Sequence, residues 1–542
     1  MRHSYLVAAL TLVACAQSPS SKPTPPGAQY FLQLQQARDL ATRGQSAEAA
    51  ELYERLTKIY PDDAETWMSL GNAHGKAQHY REAAKAYEQA IARGGEYPGA
   101  FAYRIARLYA QAGDKAQSLV WLERSLAIPL ENRPRIASDD VFTAWRDDPQ
   151  FRKLAGLAPV KSSLSRAERW NADLDFLAAE IRRLHYAYRG KPLSADFDGA
   201  LRALRQRAPQ LTDAAMEPEI QRLLAFAADG HTGLTGRPSL ALPIAFYDFS
   251  DGMYVIDAVS ECACIGERVV ALNGVPIQSA VQKITPFLSV DNAMGVRFKA
   301  PIYLRYPDYL RAAGIASGDS IAVSLEGANG AHVFTAKASE SGGVSGRVTV
   351  PHTLNQNYGF ETLPGGDTIY FQFNQVLDEP ANSIQQFAGK LHEALSPARI
   401  HNLIIDVRNN GGGNLDLFTP LLRTIITFQT THAGAGIYVL TSRQTFSAAQ
   451  VFVNQLDRNT SAIVAGEPAG SRPNFIGESA PTVLPYSGLY MTISTRYHQT
   501  DDQDQRTWIA PKIPVALTSA DYFAKRDPVL DAVLAVIARG GK

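Results

Sequence analysis

Apolar positions along the chain change their spacing three times. From 30 to 130 a unit of about 34 residues recurs. In its clearest copy Trp67, Leu70, Gly71 and His74 lie on a first predicted helix, and Ala83, Tyr87 and Ala90 on a second. One period earlier stand Ala49, Tyr53 and Pro61. One period later, shifted by a residue, stand Ile105, Ala106 and Tyr109, then Gly113-Asp114 at a turn, then Leu122. Small residues here let paired helices approach, aromatics fill the gaps, and three copies suffice for a stack. Residues 131–165 read as a connector containing Phe142, Trp145 and Phe151. From Arg166, the positions Leu174, Leu177, Ile181, Leu184 and Tyr188 recur at helical spacing on one face. This helical stretch ends near Asp229-Gly230-His231-Thr232-Gly233.

Between 240 and 345 the pattern becomes one of short β-type runs. Met253-Tyr254-Val255-Ile256 and Arg268-Val269-Val270-Ala271-Leu272 read as strands, and Asn273-Gly274 as a tight turn. Beyond 346 strands and helices alternate. Thr368 to Phe373 is a strand, Ser383 to Leu395 a helix, Leu403 to Val407 a buried strand and Gly436 to Leu440 another. Ser447 to Leu456 is a helix, and Asp527-Pro528 opens the last one. Such alternation predicts an α/β core.

The chain has 542 residues, which at roughly 150 per domain predicts three to four domains. A composition of 45% hydrophobic and 20% charged residues excludes a wholly disordered chain. Lys+Arg and Asp+Glu both number 53, so the net charge is zero. Gripping phosphate backbones calls for a basic excess, so nucleic acid is not an expected partner. Three cysteines cannot make a disulfide framework. Cys262 and Cys264 could pair, but a one-residue gap strains the ring, and a two-Cys metal site lacks further ligands nearby. Neither state is assigned. The N-terminus has Arg2, an apolar run from Tyr5 to Ala14, then Cys15. That is a secretory signal pattern, shorter than the ~20 residues a spanning helix needs.

Three features carry candidate chemistry. Gly411-Gly412-Gly413 follows a strand and permits peptide N–H groups to crowd together. That suits an oxyanion hole and equally a plain turn; phosphate binding would want a following Gly-Lys-Ser/Thr. Ser447, in Thr445-Phe446-Ser447-Ala448-Ala449-Gln450, stands at a loop–helix junction. It reads as a capping box with Gln450 at N3. It also reads as a nucleophile at a helix N-terminus, where the dipole favours an alkoxide and the Ala448 N–H would meet a carbonyl oxygen. His231 lies in a glycine-flanked loop between two domain types, either as a surface residue or as a base for Ser447. No spacing resembles a zinc motif, so neither metal nor cofactor is expected.

Several stretches resemble known families. The 30–130 repeat resembles the tetratricopeptide pattern, with His74 for the usual Tyr, which implies either a groove for a peptide or protein partner or a spacer. Leu12-Val13-Ala14-Cys15 resembles a bacterial lipobox. It implies lipidation at Cys15 and, with Ala16 following, anchoring at the outer membrane facing the periplasm. Membrane contact would be through the lipid alone, on the Pro/Ser-rich tether 16–28. Gly266 to Gly274 resembles a PDZ stretch. Asp229-Gly230-His231-Thr232, the run from Ile405 to Gly413, Thr445 to Ala449, and Gly466-Glu467-Pro468 stand in the order of the C-terminal-processing (tail-specific) serine peptidases, including their tricorn-core branch. The resemblance covers roughly 166–542. It implies a multidomain fold: all-α tetratricopeptide repeats, then an α/β crotonase-like (ββα) peptidase core with a helical flanking region and a PDZ-like β-domain. The expected order is signal peptide 1–15, tether 16–28, repeats 29–130, connector 131–165, helical region 166–235, PDZ-like domain 236–345 and catalytic core 346–542.

By the same resemblance Ser447 attacks a peptide carbonyl, and the N–H groups of Gly412 and Ala448 hold the oxyanion. The tail-specific branch uses a Lys 25 residues after the Ser, where this chain has Arg472, which cannot act as a base. The tricorn-like branch uses a His at the place of His231, so a Ser447/His231 pair is expected. Two further departures stand out. Gly230 replaces a Ser, and the segment expected to hold an orienting Glu offers Asp504 instead. Arg472 is expected to be structural or to bind a substrate carboxylate, with Glu467 and Glu478 as candidate partners. The expected function is an envelope serine peptidase acting on peptides or proteins. The competing readings are a catalytically weak or inactive adaptor that binds envelope proteins through its repeats, and hydrolysis of another acyl group by the same pair.

Overall fold

The computed structural model describes residues 27–94, 98–128, 133–236, 238–340 and 356–540, with 344, 348 and 354. Cys15 and the expected tether, apart from its last residues, lie outside the described residues. The chain divides into two compact units, 1–125 and 126–542.

The first unit is built of helix pairs: Ala28–Thr42 with Ser46–Ile59, Ala64–Lys76 with Tyr80–Ala92, and Pro98–Gln111 with Lys115–Leu126. Asp63 caps the third helix by accepting the Glu65 N–H. A side chain at Gly71 would stand 3.0 Å from the Tyr87 ring, so the glycine is what lets these two helices close. Tyr87 in turn donates to Asn72 Oδ1 at 2.7 Å. Tyr109 and Trp121 of the third pair both donate to Glu88 of the second, at 2.8 and 3.0 Å.

The second unit begins with structure where a plain connector was expected. Helices Arg133–Ser138 and Pro149–Ala155 flank a 3₁₀ turn at Asp140–Trp145, and Phe142 and Phe151 are fully buried. Helices Arg166–Leu184, Ala195–Arg207 and Asp213–Ala225 follow. The apolar stripe Leu174, Leu177, Ile181 and Leu184 packs on Ala480, Met491 and Ile493 of the hairpin Phe475–Val483/Tyr490–His498. That hairpin's first partner strand is Gly233–Leu234, so the segment after His231 is stitched to the far end of the chain.

The β-domain is an antiparallel sheet in the order Ile244–Phe249, Gly252–Ala258, Arg268–Leu272, Ser320–Gly327, Gly330–Lys337. Asn273 and Gly274 both have positive φ, as a two-residue hairpin turn requires. Cys262 and Cys264, left unassigned from sequence, are paired in a disulfide.

The core sheet runs Tyr358–Thr362, Thr368–Phe373, Asn402–Asp406, Gly436–Thr441, Ile463–Gly466, Ile513–Pro514, antiparallel at the first pair and parallel thereafter. Alternation sorts its two faces. Leu403, Ile405, Ile437 and Val439 meet the helices Ile384–Leu395, Thr419–Thr431 and Ala448–Asn459. Ile404, Tyr438 and Leu440 meet the final helix Pro528–Ala538 on the other face. At the carboxyl end of the central strand Arg408 is buried between Asp406 and Asp527, with its two terminal guanidinium nitrogens 2.7 Å from Asp527 oxygens. Tyr370 donates to Asp406 at 2.6 Å. This network fixes the point from which the glycine turn departs.

Arg408→Met is expected to lower stability by about 3–5 kcal/mol, because it strands two buried carboxylates. Urea denaturation of the variant checks this; an unchanged midpoint would show that the network is dispensable.

Candidate active site

The glycine turn is shaped by contacts that exclude side chains. A Cβ on Gly413 (φ 141) would lie 2.1 Å from the Val376 carbonyl oxygen, and one on Gly412 (φ 109) 2.8 Å from Ser447 Cβ. Gly412 therefore lies directly against the candidate nucleophile. Asn410, which the sequence reading passed over, organises this turn. Its Nδ2 donates to the Phe373 carbonyl at 2.9 Å, its Oδ1 accepts the Gly412 N–H at 2.9 Å, and its own carbonyl accepts the Phe446 N–H at 3.0 Å. An Asn two residues before a Gly is an Asx-turn signal that could have been read. The Gly412 N–H, expected with that of Ala448 to hold an oxyanion, is thus already engaged by Asn410. Among the described residues the Ala448 N–H, first in its helix, has no protein acceptor.

Ser447 stands at the N-terminus of the Ala448–Asn459 helix with φ 56 and makes no side-chain capping bond. The capping-box reading fails: Gln450 turns to Asn454 instead, at 2.7 Å. A non-glycine residue at positive φ stores strain, and here its hydroxyl is left free. The Ser447 N–H is held by the Ser471 hydroxyl at 3.1 Å.

His231 is brought to the same place by aromatic packing. Its ring stacks on Phe446, the residue before Ser447, with centroids 4.4 Å apart, and on Phe475 at 5.4 Å. Both ring nitrogens are buried and unpartnered. No hydrogen bond joins the imidazole to Ser447 among the described residues. Burial pushes the imidazole down to about 4 from its ordinary 6.5; Asp229 and, weakly, the nearby Ile476 backbone oppose this, while Lys299 and His498 add to it. The ring is therefore neutral at pH 7. Asp229 fixes the loop, accepting the His231 and Thr232 N–H groups at 2.8 and 2.7 Å, the Ser494 hydroxyl at 2.8 Å and His185 Nε2 at 2.9 Å. Gly230 has no room for the Ser of the tricorn-like pattern, since a Cβ would sit 2.6 Å from the Phe446 ring.

Other expectations are corrected. The Asp504 carboxylate is not on His231. It forks onto Arg506, at 2.8–3.2 Å, because a guanidinium two residues away is its natural bidentate partner. Arg472 pairs with neither Glu467 nor Glu478; its Nε donates to the Asp291 carbonyl at 2.7 Å. Glu467 is taken by buried Arg443, at 2.6 and 3.0 Å. Among the described residues no His/Cys/Asp/Glu group could hold a metal, and no helix is long and apolar enough to cross a membrane. A cavity of about 150 Å³ opens beside the site, lined by Val290, Phe298, Gly411 and Phe446.

Comparison with known proteins agrees with this architecture. Residues 31–73 and 68–134 match tetratricopeptide repeat profiles. No curated protein sequence matches the chain. Among solved structures, mature CPAF complexed with lactacystin superposes with a TM-score of 0.51 at 13% identity, over 69% of this chain and 98% of that one. Mature CPAF alone gives 0.50 at 14%, over 69% and 97%. A photosystem II D1 C-terminal processing protease aligns at 0.33 and 14%, over 70% and 98%. At these identities the likeness to mature CPAF is one of fold. The chain carries tetratricopeptide repeats followed by a mixed α/β unit that shares that fold.

The buried imidazole makes stability depend on pH. Below 6.5 an unfolded chain protonates this His, whereas the folded ring stays neutral to about 4. Its contribution is complete above 6.5 and is lost as pH falls towards 4. Asp291 has the opposite sign: burial pushes it up to about 6 from 3.8, so its contribution is complete below 3.8 and lost as pH rises through 6. The difference between wild type and His231→Asn isolates the imidazole. Between pH 7 and 4.5 wild type should lose on the order of 2 kcal/mol more than the variant in urea denaturation. Parallel pH profiles would contradict a buried neutral His231.

Proposed function

We propose that this protein is a serine peptidase of the cell envelope in which Ser447 is the nucleophile and His231 its general base. The observation that carries the reading is the buried, unpartnered imidazole stacked on the residue next to a strained, uncapped Ser at a helix N-terminus. Ser447 Oγ attacks the scissile carbonyl while the imidazole takes its proton, and the imidazolium then protonates the leaving amine. The oxyanion is held by the Ala448 N–H and by the Gly412 N–H, shared with Asn410. Substrate is needed to draw Ser447 and His231 into hydrogen-bond contact, as catalytic bonds often tighten only on binding. Asp504 has no part in this scheme. Asp229 orients the loop through the His231 backbone rather than through the ring.

The repeats suit a protein or peptide partner, and Cys15 would carry a lipid that keeps the enzyme at the outer membrane on the periplasmic side. Metabolic labelling with a radioactive fatty acid, lost in Cys15→Ser, tests that placement.

Hydrolysis of unfolded protein substrates tests the chemistry. Ser447→Ala is expected to reduce kcat by on the order of 10⁶, with little loss of stability because no capping bond is removed. His231→Ala should be comparably inactive. The acid limb of the kcat/KM profile should lie below the ordinary His value of 6.5, towards about 4. Activity of Ser447→Ala within tenfold of wild type would mean another nucleophile, and an alkaline limb alone would mean another base.

A further inference from the structure

Residues 289–299 are remote in sequence from both catalytic candidates, yet they hold the site from two sides. Asp291 Oδ1 accepts the Gly230 N–H at 2.7 Å. Lys299 Nζ donates to the Gly230 carbonyl at 3.1 Å and to the Ser289 carbonyl at 2.6 Å. Both peptide groups of Gly230 are thus gripped, one residue before His231. On the other side the Asp291 carbonyl accepts Arg472 Nε, next to Ser471, whose hydroxyl holds the Ser447 N–H. Asn292 Nδ2 donates to the Ala469 carbonyl at 3.1 Å. One short segment therefore ties the His231 loop to the chain that supports the nucleophile. Asp291 Oδ2 is buried with no hydrogen-bond partner. Burial and the Asp229 charge disfavour its ionised form, while the Gly230 N–H, the Ser471 hydroxyl and Lys299 favour it; burial also holds the Lys299 ammonium below its ordinary 10.5. Keeping a desolvated carboxylate and ammonium is costly, and apolar residues would support a loop at less expense.

Resting on the Ser447/His231 reading, we infer that Lys299 and Asp291 form a clamp on the Gly230 peptide that positions the His231 imidazole for the chemistry at Ser447. Both are positioning residues. The clamp also acts through space. The imidazole is faced by Asp229 from its own loop, by Lys299 from the Ala293–Tyr303 helix and by His498 from the hairpin, with Glu478 4.0 Å from His498. The Lys299 ammonium opposes a second positive charge on the ring, and Asp291 and Asp229 hold that ammonium in its charged form. A support that worked by shape alone would leave the ring's titration unmoved when the charge is removed.

The test is an NMR titration of ¹³C-labelled histidine in the full chain, with the His231 signal assigned by its loss in His231→Asn, alongside peptide hydrolysis. In Lys299→Gln, which keeps a donor without the charge, the imidazole should titrate higher, towards 6.5. In Asp291→Asn, which keeps an acceptor for Gly230 but removes a charge that favours the ammonium, it should shift from its wild-type value, and in Lys299→Arg it should stay as in wild type. In Lys299→Met kcat should fall about 10- to 100-fold, with KM within threefold, because the ring is misplaced rather than the substrate unbound. Should Lys299→Met not fold, Lys299→Gln and Asp291→Asn carry the test. An imidazole whose titration is the same in all folded variants overturns the clamp. The titration is read whether or not peptides are cleaved. A wild type without turnover but with these shifts overturns the function and leaves the clamp standing, while turnover with an unmoved imidazole does the reverse.

Discussion

The site depends on where the Phe446 ring can go. It lies over Gly230, where even a methyl group would clash at 2.6 Å, and it stacks face to face on His231. Its own N–H is tied to Asn410 in the glycine turn. Three segments that are distant in sequence are thereby locked around one aromatic side chain. The next residue, Ser447, enters the helix through a positive φ with its hydroxyl unspent. Gly230 and Gly412 belong to the same constraint, since both are glycines because another backbone or ring occupies the space of a Cβ.

The network behind this contact has a division of labour. Arg408, between Asp406 and Asp527, anchors the end of the central strand and hence the turn. Asp229, with His185, Thr232 and Ser494, anchors the His231 loop. Arg472, in the position where the tail-specific pattern has its Lys, holds a carbonyl, while the His231 imidazole stacks on the residue before Ser447. The departure at Arg472 and the presence of His231 are two sides of one arrangement.

What was legible in the sequence was local. The repeat helices, the buried strand from Leu403 to Val407 and the Asn273-Gly274 turn follow from neighbours a few residues apart. Ser447 shows the limit of such reading, because Ser-x-x-Gln before an apolar helix fits a capping box, yet its side chain makes no cap bond and Gln450 turns to Asn454. The partners of Arg472 and Glu467 could not be read, since only the tertiary fold brings them near, whereas the Arg506 partner of Asp504 lies two residues away in the chain. Phe475, the second ring on His231, carries no motif at all and comes from a hairpin far along the chain.

The central claim is that Ser447 is chemically activated by this environment. A fluorophosphonate probe reports that property without knowledge of the substrate, because only a serine with an adjacent base and an oxyanion pocket reacts at a useful rate. Incubating the folded full-length protein with the probe at pH 7 and mapping the adduct by peptide mass spectrometry is the most direct measurement. The account predicts a single adduct on Ser447, abolished in Ser447→Ala and in His231→Ala. A folded wild type that takes up no probe, or an adduct that persists in His231→Ala, would contradict it.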